Sequence, residues 1–178
     1  MAVRRRCWRW RREAIMADRV SVSFTLGGTL SPDAWLELAA VIAAEGLSIE
    51  WDGPSFEPSH RRPGDALELF ANEVAWGKVE PLETFCQEHG LPYRFWAGGF
   101  FAEWSAERIV YRGGGTPDSF IADESDRVLI DRHEIVRRGN IGAILGYFDE
   151  AEFTVPPLAV AGDPDLAIRV GEQEAAHG

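Results

Sequence analysis

The string Asp131-Arg132-His133-Glu134 gathers more chemistry-bearing side chains than any other in the chain. An imidazole next to carboxylates has the parts of an acid–base pair or of a metal site. The spacing argues against both. Consecutive side chains on a helix or strand point in different directions, and histidines 60, 89, 133 and 177 stand alone, with no second His at ligand spacing. No metal and no cofactor is expected. Cys86 and His89 lie three apart, which puts them on one face of a helix as a thiol nucleophile and its base would require. A cysteine on an apolar helical face is also simply a small core residue, and that is the favoured reading. Arg112-Gly113-Gly114-Gly115 could wrap an anion in backbone N–H groups, but it matches neither a Walker loop nor a dinucleotide fingerprint and reads as a sharp turn. Ser31 is not set in G-x-S-x-G, so no nucleophile elbow is present.

The carboxylates carry more weight. Asp118, Asp123, Glu124 and Asp126 fall in one loop-like stretch, and Asp149, Glu150 and Glu152 in another; Glu80, Glu83 and Glu88 lie on or near a helix. Two such groups across a cleft would serve a small hydrolase. As solvated surface they would keep the protein soluble. Between these readings lies a face that imitates phosphate spacing and occupies a basic site on another protein. Trp96, Trp104 and Tyr111, with Trp51, would suit the anchors of that interface, and would equally suit a core. The two carboxylate groups with Trp96, Trp104 and Tyr111 are the candidate partner-binding residues; no catalytic residue is assigned.

Charge changes sign at Met16. Residues 1–15 hold six Arg and one Glu, a formal +5, and the remaining 163 residues carry −16. The body repels phosphate backbones and attracts basic surfaces, so residues 16–178 are expected not to bind nucleic acid. The Arg/Trp head lacks the apolar run of a signal peptide. It reads either as an arm for anionic surfaces or, preferably, as a segment upstream of a true start at Met16. No stretch is long and apolar enough to span a bilayer, and two Cys make no disulfide framework, so a reducing cytoplasm is expected.

These residues must be positioned by a fold the periodicity suggests. Val20–Leu26 alternates apolar and polar as a half-buried strand. Ser31 and Pro32 then open a helix with Trp35, Leu38, Ala39 and Ile42 on one face, and Gly46 closes it. Leu47, Ile49 and Trp51 alternate as a second strand, and Asp52–Gly64 is a loop. Leu67, Leu69 and Ala71 mark a third strand, Val79–His89 a second helix with Gly90 as its stop, and Leu91, Tyr93 and Phe95 a fourth strand. Two β-α-β units in tandem predict an α+β protein with a ferredoxin-like split βαβ (βαββαβ) sheet and both helices on one face. Phe100–Arg112 adds a hairpin or extends the sheet. Asp131–Arg138 and Asn140–Phe148 add helices, the latter suited to cover the free sheet face. Residues 16–155 are expected to form one domain, and 156–178 a mobile acidic tail.

Leu82–Arg112, with its helix, His89-Gly90-Leu91-Pro92-Tyr93 and closing Tyr111-Arg112-Gly113-Gly114, resembles small uncharacterised proteins carried by bacterial phages and plasmids. The resemblance spans about thirty residues and includes no catalytic motif. It implies a counter-defence role, such as an anti-CRISPR or antirestriction inhibitor. The expectation is therefore a non-enzymatic acidic protein that binds a partner with a basic surface. The alternatives are a ferredoxin-like ligand-sensing or oligomerising module, in which a homodimer is compatible with the chain, and a hydrolase using carboxylate or Cys–His chemistry.

Overall fold

The computed structural model describes residues 18–101 and 103–163. The basic head, and residues 164–178 of the expected tail, lie outside the described residues. The chain is α+β. Strand β1 (Arg19–Leu26) buries Val20, Val22, Phe24 and Leu26 and turns Ser21, Ser23 and Thr25 to the other side, as its alternation predicts. It is second in the five-strand order β3–β1–β4–β5–β6, where β3 is Leu67–Ala75, β4 Tyr93–Ala97, β5 Glu107–Tyr111 and β6 Asp118–Ile121; every neighbouring pair is antiparallel.

Helix α1 (Pro32–Ala44) starts where Ser31 accepts the Ala34 N–H at 3.2 Å and buries Trp35, Leu38, Ala39 and Ile42. Helix α2 (Glu80–Glu88) buries Leu82, Phe85 and Cys86. The two helices touch and share one core with Val22, Phe24, Leu69, Tyr93 and Phe95. A second, smaller core of Val110, Phe120, Tyr147 and Ala151 lies on the opposite face of β5 and β6. Helix α4 (Ile141–Ala151) closes that side, supplying Tyr147 and Ala151, and helix α3 (Arg132–Arg138) packs against α4. Among the described residues, no helix is long and apolar enough to cross a membrane.

The structure departs from the sequence reading in two places. The second strand, expected over Leu47–Trp51, is reduced to one bridge between Ser48 and Phe70. Beyond it the chain turns: Gly53 donates to the Glu50 carbonyl at 3.1 Å, and Ser48 Oγ donates to the Pro54 carbonyl at 2.8 Å. Leu47 is buried in the main core instead of pairing in a ladder. Pro156, expected to open a mobile tail, is followed by β7 (Leu158–Val160), which pairs in parallel with β2 (Gly28–Leu30). Arg61 bolts this strand down. It reaches the Leu158 carbonyl at 3.0 Å, pairs with both oxygens of Asp163, and lies 5.3 Å from the Trp35 ring centre. Hydrogen bonds from Arg61 and from the Val160 N–H hold the Asp163 carboxyl down at about 2.

Between α2 and the sheet, Tyr93 Oη donates to Glu83 at 3.3 Å and accepts from Gln87 Nε2 at 3.1 Å. Desolvation raises the pKa of the Glu83 carboxyl despite the Tyr93 hydrogen bond, and nearby Glu80 and Glu107 add to the rise. Below the usual carboxylate range this group is neutral in both the folded and the unfolded chain. With rising pH the unfolded chain ionises first, so the stability Glu83 contributes is lost as pH climbs through its native pKa. Glu83→Gln keeps an acceptor for Tyr93 without the charge. It is expected to raise the melting temperature at pH 7 by a few degrees and leave it nearly unchanged at pH 4, as calorimetry across that range would measure.

Candidate functional site

The part of the second sheet face that α4 leaves open forms a groove of about 500 Å³. Its floor is Ser21 and Ser23 of β1, Phe70 and Asn72 of β3 and Trp96 of β4; one wall is Trp51 and the other the turn Glu124-Ser125-Asp126. The floor follows from strand phase. Leu67, Leu69 and Ala71 face the helices, so Phe70 faces the groove; Tyr93, Phe95 and Ala97 do the same for Trp96.

Each wall is fixed. Trp51 stands on the turn that replaces the missing strand, its ring centre 5.0 Å from that of Phe70. Asn72 ties this turn to the sheet: its Nδ2 donates to Asp52 at 2.9 Å and its Oδ1 accepts from Ser21 Oγ at 2.7 Å. Asp52 adopts φ 54°, a left-handed conformation that Asp tolerates. On the other wall, Asp123 accepts the N–H groups of Ser125 and Arg127 at 2.9 and 3.0 Å and Arg127 Nε at 2.8 Å. These bonds hold its carboxyl at about 2. Arg108, buried beneath the turn, pairs with Asp126 Oδ1 at 2.8 Å, bonds the Asp126 carbonyl and reaches the Ala151 carbonyl at 3.3 Å. Glu124 accepts the Gly99 N–H at 3.1 Å. A Cβ on Gly99 would come within 2.9 Å of that carboxylate and of the Ala106 nitrogen. Gly98-Gly99 therefore lets the wall close on the sheet.

The carboxylates of the two sequence clusters are regrouped by the fold. Asp118 leaves the first cluster: Arg112 pairs with it at 2.5 Å and also donates to the Glu150 carbonyl at 2.6 Å, joining β6 to α4. The Glu150 carboxylate faces Arg138 at 3.4 Å, while Asp149 and Glu152 are exposed. Asp123, Glu124 and Asp126 stay together on the groove wall. Trp96 is 7 % exposed, donates its indole N–H to the Asp123 carbonyl at 3.0 Å and lies at the floor of the groove. Trp104 is half-buried away from the groove, stacked on Phe100 at 5.3 Å and tilted against Trp76 at 5.9 Å. Tyr111 is a core residue and not a surface anchor. Its place in β5 opposite Tyr93 turns it toward α2, where its hydroxyl reaches the Gln87 carbonyl at 3.4 Å.

The strings with catalytic side chains are absorbed by structure. Asp131 caps α3 by accepting the Glu134 N–H at 2.7 Å, and Glu134 binds Arg137 and Arg138. His133 is exposed on a cleft of about 340 Å³ whose charged lining is largely paired. Cys86 is in the core, where burial pushes its thiol pKa up, and His89 stacks on Phe85 at 4.2 Å. Gly113 lets the turn after β5 pass Gly90, whose carbonyl would lie 2.9 Å from a Cβ. Among the described residues, no cluster of three or more His, Cys, Asp or Glu could hold a metal ion.

Sequence alone does not mark Phe70, Asn72, Ser21 and Ser23 as site residues. The signal for Phe70 is phase: an aromatic at the position where the alternation calls for a polar residue. No family model, curated protein or solved structure matches the chain.

Proposed function

We propose that this chain is a non-enzymatic binding protein whose open sheet face takes a basic surface of another protein. The observation that carries the reading is the groove itself: an exposed Trp51 and a half-buried Phe70 above the buried Trp96, with the Glu124 carboxylate on the wall, on a part of the sheet face without a covering helix. Aromatic anchors with an acidic rim suit a cationic partner. The wider charge supports it, since residues 18–107 carry fifteen acidic and five basic side chains. In this reading β1, α1, β3, α2 and β4 are a ferredoxin-like split βαβ core whose second strand has shrunk to the Ser48 bridge, which leaves Trp51 free to rim the groove. A nucleic-acid-binding protein, whose own site is basic, is the partner class that the phage and plasmid resemblance suggests.

The test is kinetic. Association with a fluorescent nona-lysine peptide is expected to slow several-fold in Glu124→Lys and to weaken steeply with salt, because screening shortens from about 10 Å at 0.1 M to about 3 Å at 1 M. Asp149→Lys, on the other cluster, is expected to slow it less. Both variants should melt within a few degrees of the parent, since exposed charges contribute little to stability. An on-rate indifferent to salt and to Glu124→Lys rejects the proposal.

A further inference from the structure

The strand register places Phe70, Ser23 and Trp96 side by side on β3, β1 and β4. Neighbouring strands lie about 4.8 Å apart, so the two aromatics stand about 10 Å apart at the backbone. Between them is a serine, too small to fill the gap. Trp51, 46 % exposed, closes the third side. We infer that this slot receives one arginine side chain of the basic partner, an assignment that rests on the reading of the groove as a basic-protein site.

Three features select a guanidinium. It is flat and weakly hydrated, so it stacks on aromatic faces and loses little on entering a half-dry slot, whereas an ammonium is compact and strongly hydrated. The wall carboxylate is available: Glu124 Oε1 takes the Gly99 N–H, and Oε2 accepts no hydrogen bond among the described residues. The floor is furnished with hydroxyls from Ser21 and Ser23. A nucleobase has the same flatness, but its phosphates would meet Asp52, Glu124 and a body with a formal excess of negative charge. Arg108 and Arg127, on the acidic wall, are already committed to Asp126 and Asp123 and supply no phosphate contact, and Arg94, two residues from Trp96 on the same face of β4, lies outside the groove lining.

The experiment compares nona-arginine with nona-lysine on the full chain at about 0.15 M salt, read by tryptophan fluorescence. Nona-arginine is expected to bind about tenfold more tightly. In Trp51→Ala and in Phe70→Leu that preference is expected to collapse to within about twofold, with nona-lysine binding retained, since the charges remain. Trp51 is exposed, so its replacement preserves the fold, which circular dichroism would verify. Equal binding of the two peptides by the parent overturns the arginine slot and leaves the acidic-face reading standing. An arginine preference that survives both substitutions also overturns it, because the preference then comes from elsewhere. Binding of neither peptide removes the acidic-face reading and the slot with it.

Discussion

Replacing Arg108 with alanine is expected to lower the melting temperature by about 10 °C, the equivalent of roughly 3 kcal/mol for a domain of this size. The side chain is 9 % exposed and binds three acceptors: the Asp126 carboxylate, the Asp126 carbonyl and the Ala151 carbonyl. Its loss leaves a partly buried carboxylate without a counterion and a cavity between Trp96 and Phe120, its neighbours along the register. The damage reaches the groove, because the Asp123–Asp126 turn is held to the sheet through this residue. The Trp96 indole N–H, which donates to the Asp123 carbonyl, should become wetter, and the fluorescence should shift to the red. Adding Asp126→Asn to the alanine variant removes the stranded charge and is expected to recover part of the loss. Thermal melts of the two variants that coincide with the parent would reject this role for Arg108.

Gly27→Ala is expected to be nearly as costly, at about 3 kcal/mol, the upper end for overpacking. A Cβ at this position would sit 1.7 Å from the Pro156 carbonyl oxygen and 2.8 Å from its carbon. Both obstacles are backbone, so no rotamer change relieves them. The neighbouring bonds fix the gap: Gly27 donates to the Pro92 carbonyl at 3.0 Å and Gly28 to the Pro157 carbonyl at 3.1 Å. The segment before β7 must move out, drawing Leu158 and Val160 from the core. Limited proteolysis is the sensitive measurement: new cleavage should appear within residues 155–160. A variant that keeps both its melting temperature and its resistance there would show that the segment is not packed this way.

How much of this was legible depends on what each residue's role requires. Periodicity reports burial on one side of one element, so β1, α1, β3, α2, β4 and β5 could be read from Val20–Leu26, Trp35–Ile42, Leu67–Ala71, Leu82–Cys86, Tyr93–Phe95 and Ile109–Tyr111. The Ser31 cap and a helix over Asp131–Arg138 are local and legible too, whereas the capping role of Asp131 shows only in the structure. Leu47-Ser48-Ile49 shows where alternation misleads: Leu47 is buried by α1 packing, and a single bridge satisfies Ser48. β2 and β7 are three residues each, too short for a period to register. The groove was half visible. Trp96, Glu124 and Asp126 are among the sequence candidates, but the groove joins five separate stretches of chain, and only the register sets Phe70 across Ser23 from Trp96. Tyr111 failed for the opposite reason: a tyrosine on a strand looks the same in sequence whichever face it takes.

The separation of the two hydrophobic clusters has a consequence for the order in which the molecule opens. The larger cluster ties α1 and α2 to six strands, whereas the smaller depends on four buried residues and on arginine pairs, Arg112 with Asp118, Arg138 with Glu150 and Arg108 with Asp126. Local unfolding begins where buried apolar contacts are few. Amide hydrogens of α3 and α4 should therefore exchange with deuterium well before those of β1, and high salt should speed their exchange more than that of the sheet centre. In the opened species Val110 and Phe120 would be uncovered on the same sheet face as Phe70 and Trp96, with Arg108 between Trp96 and Phe120. A transient excursion of the C-terminal helices thus sets how much surface the molecule can offer at a given instant.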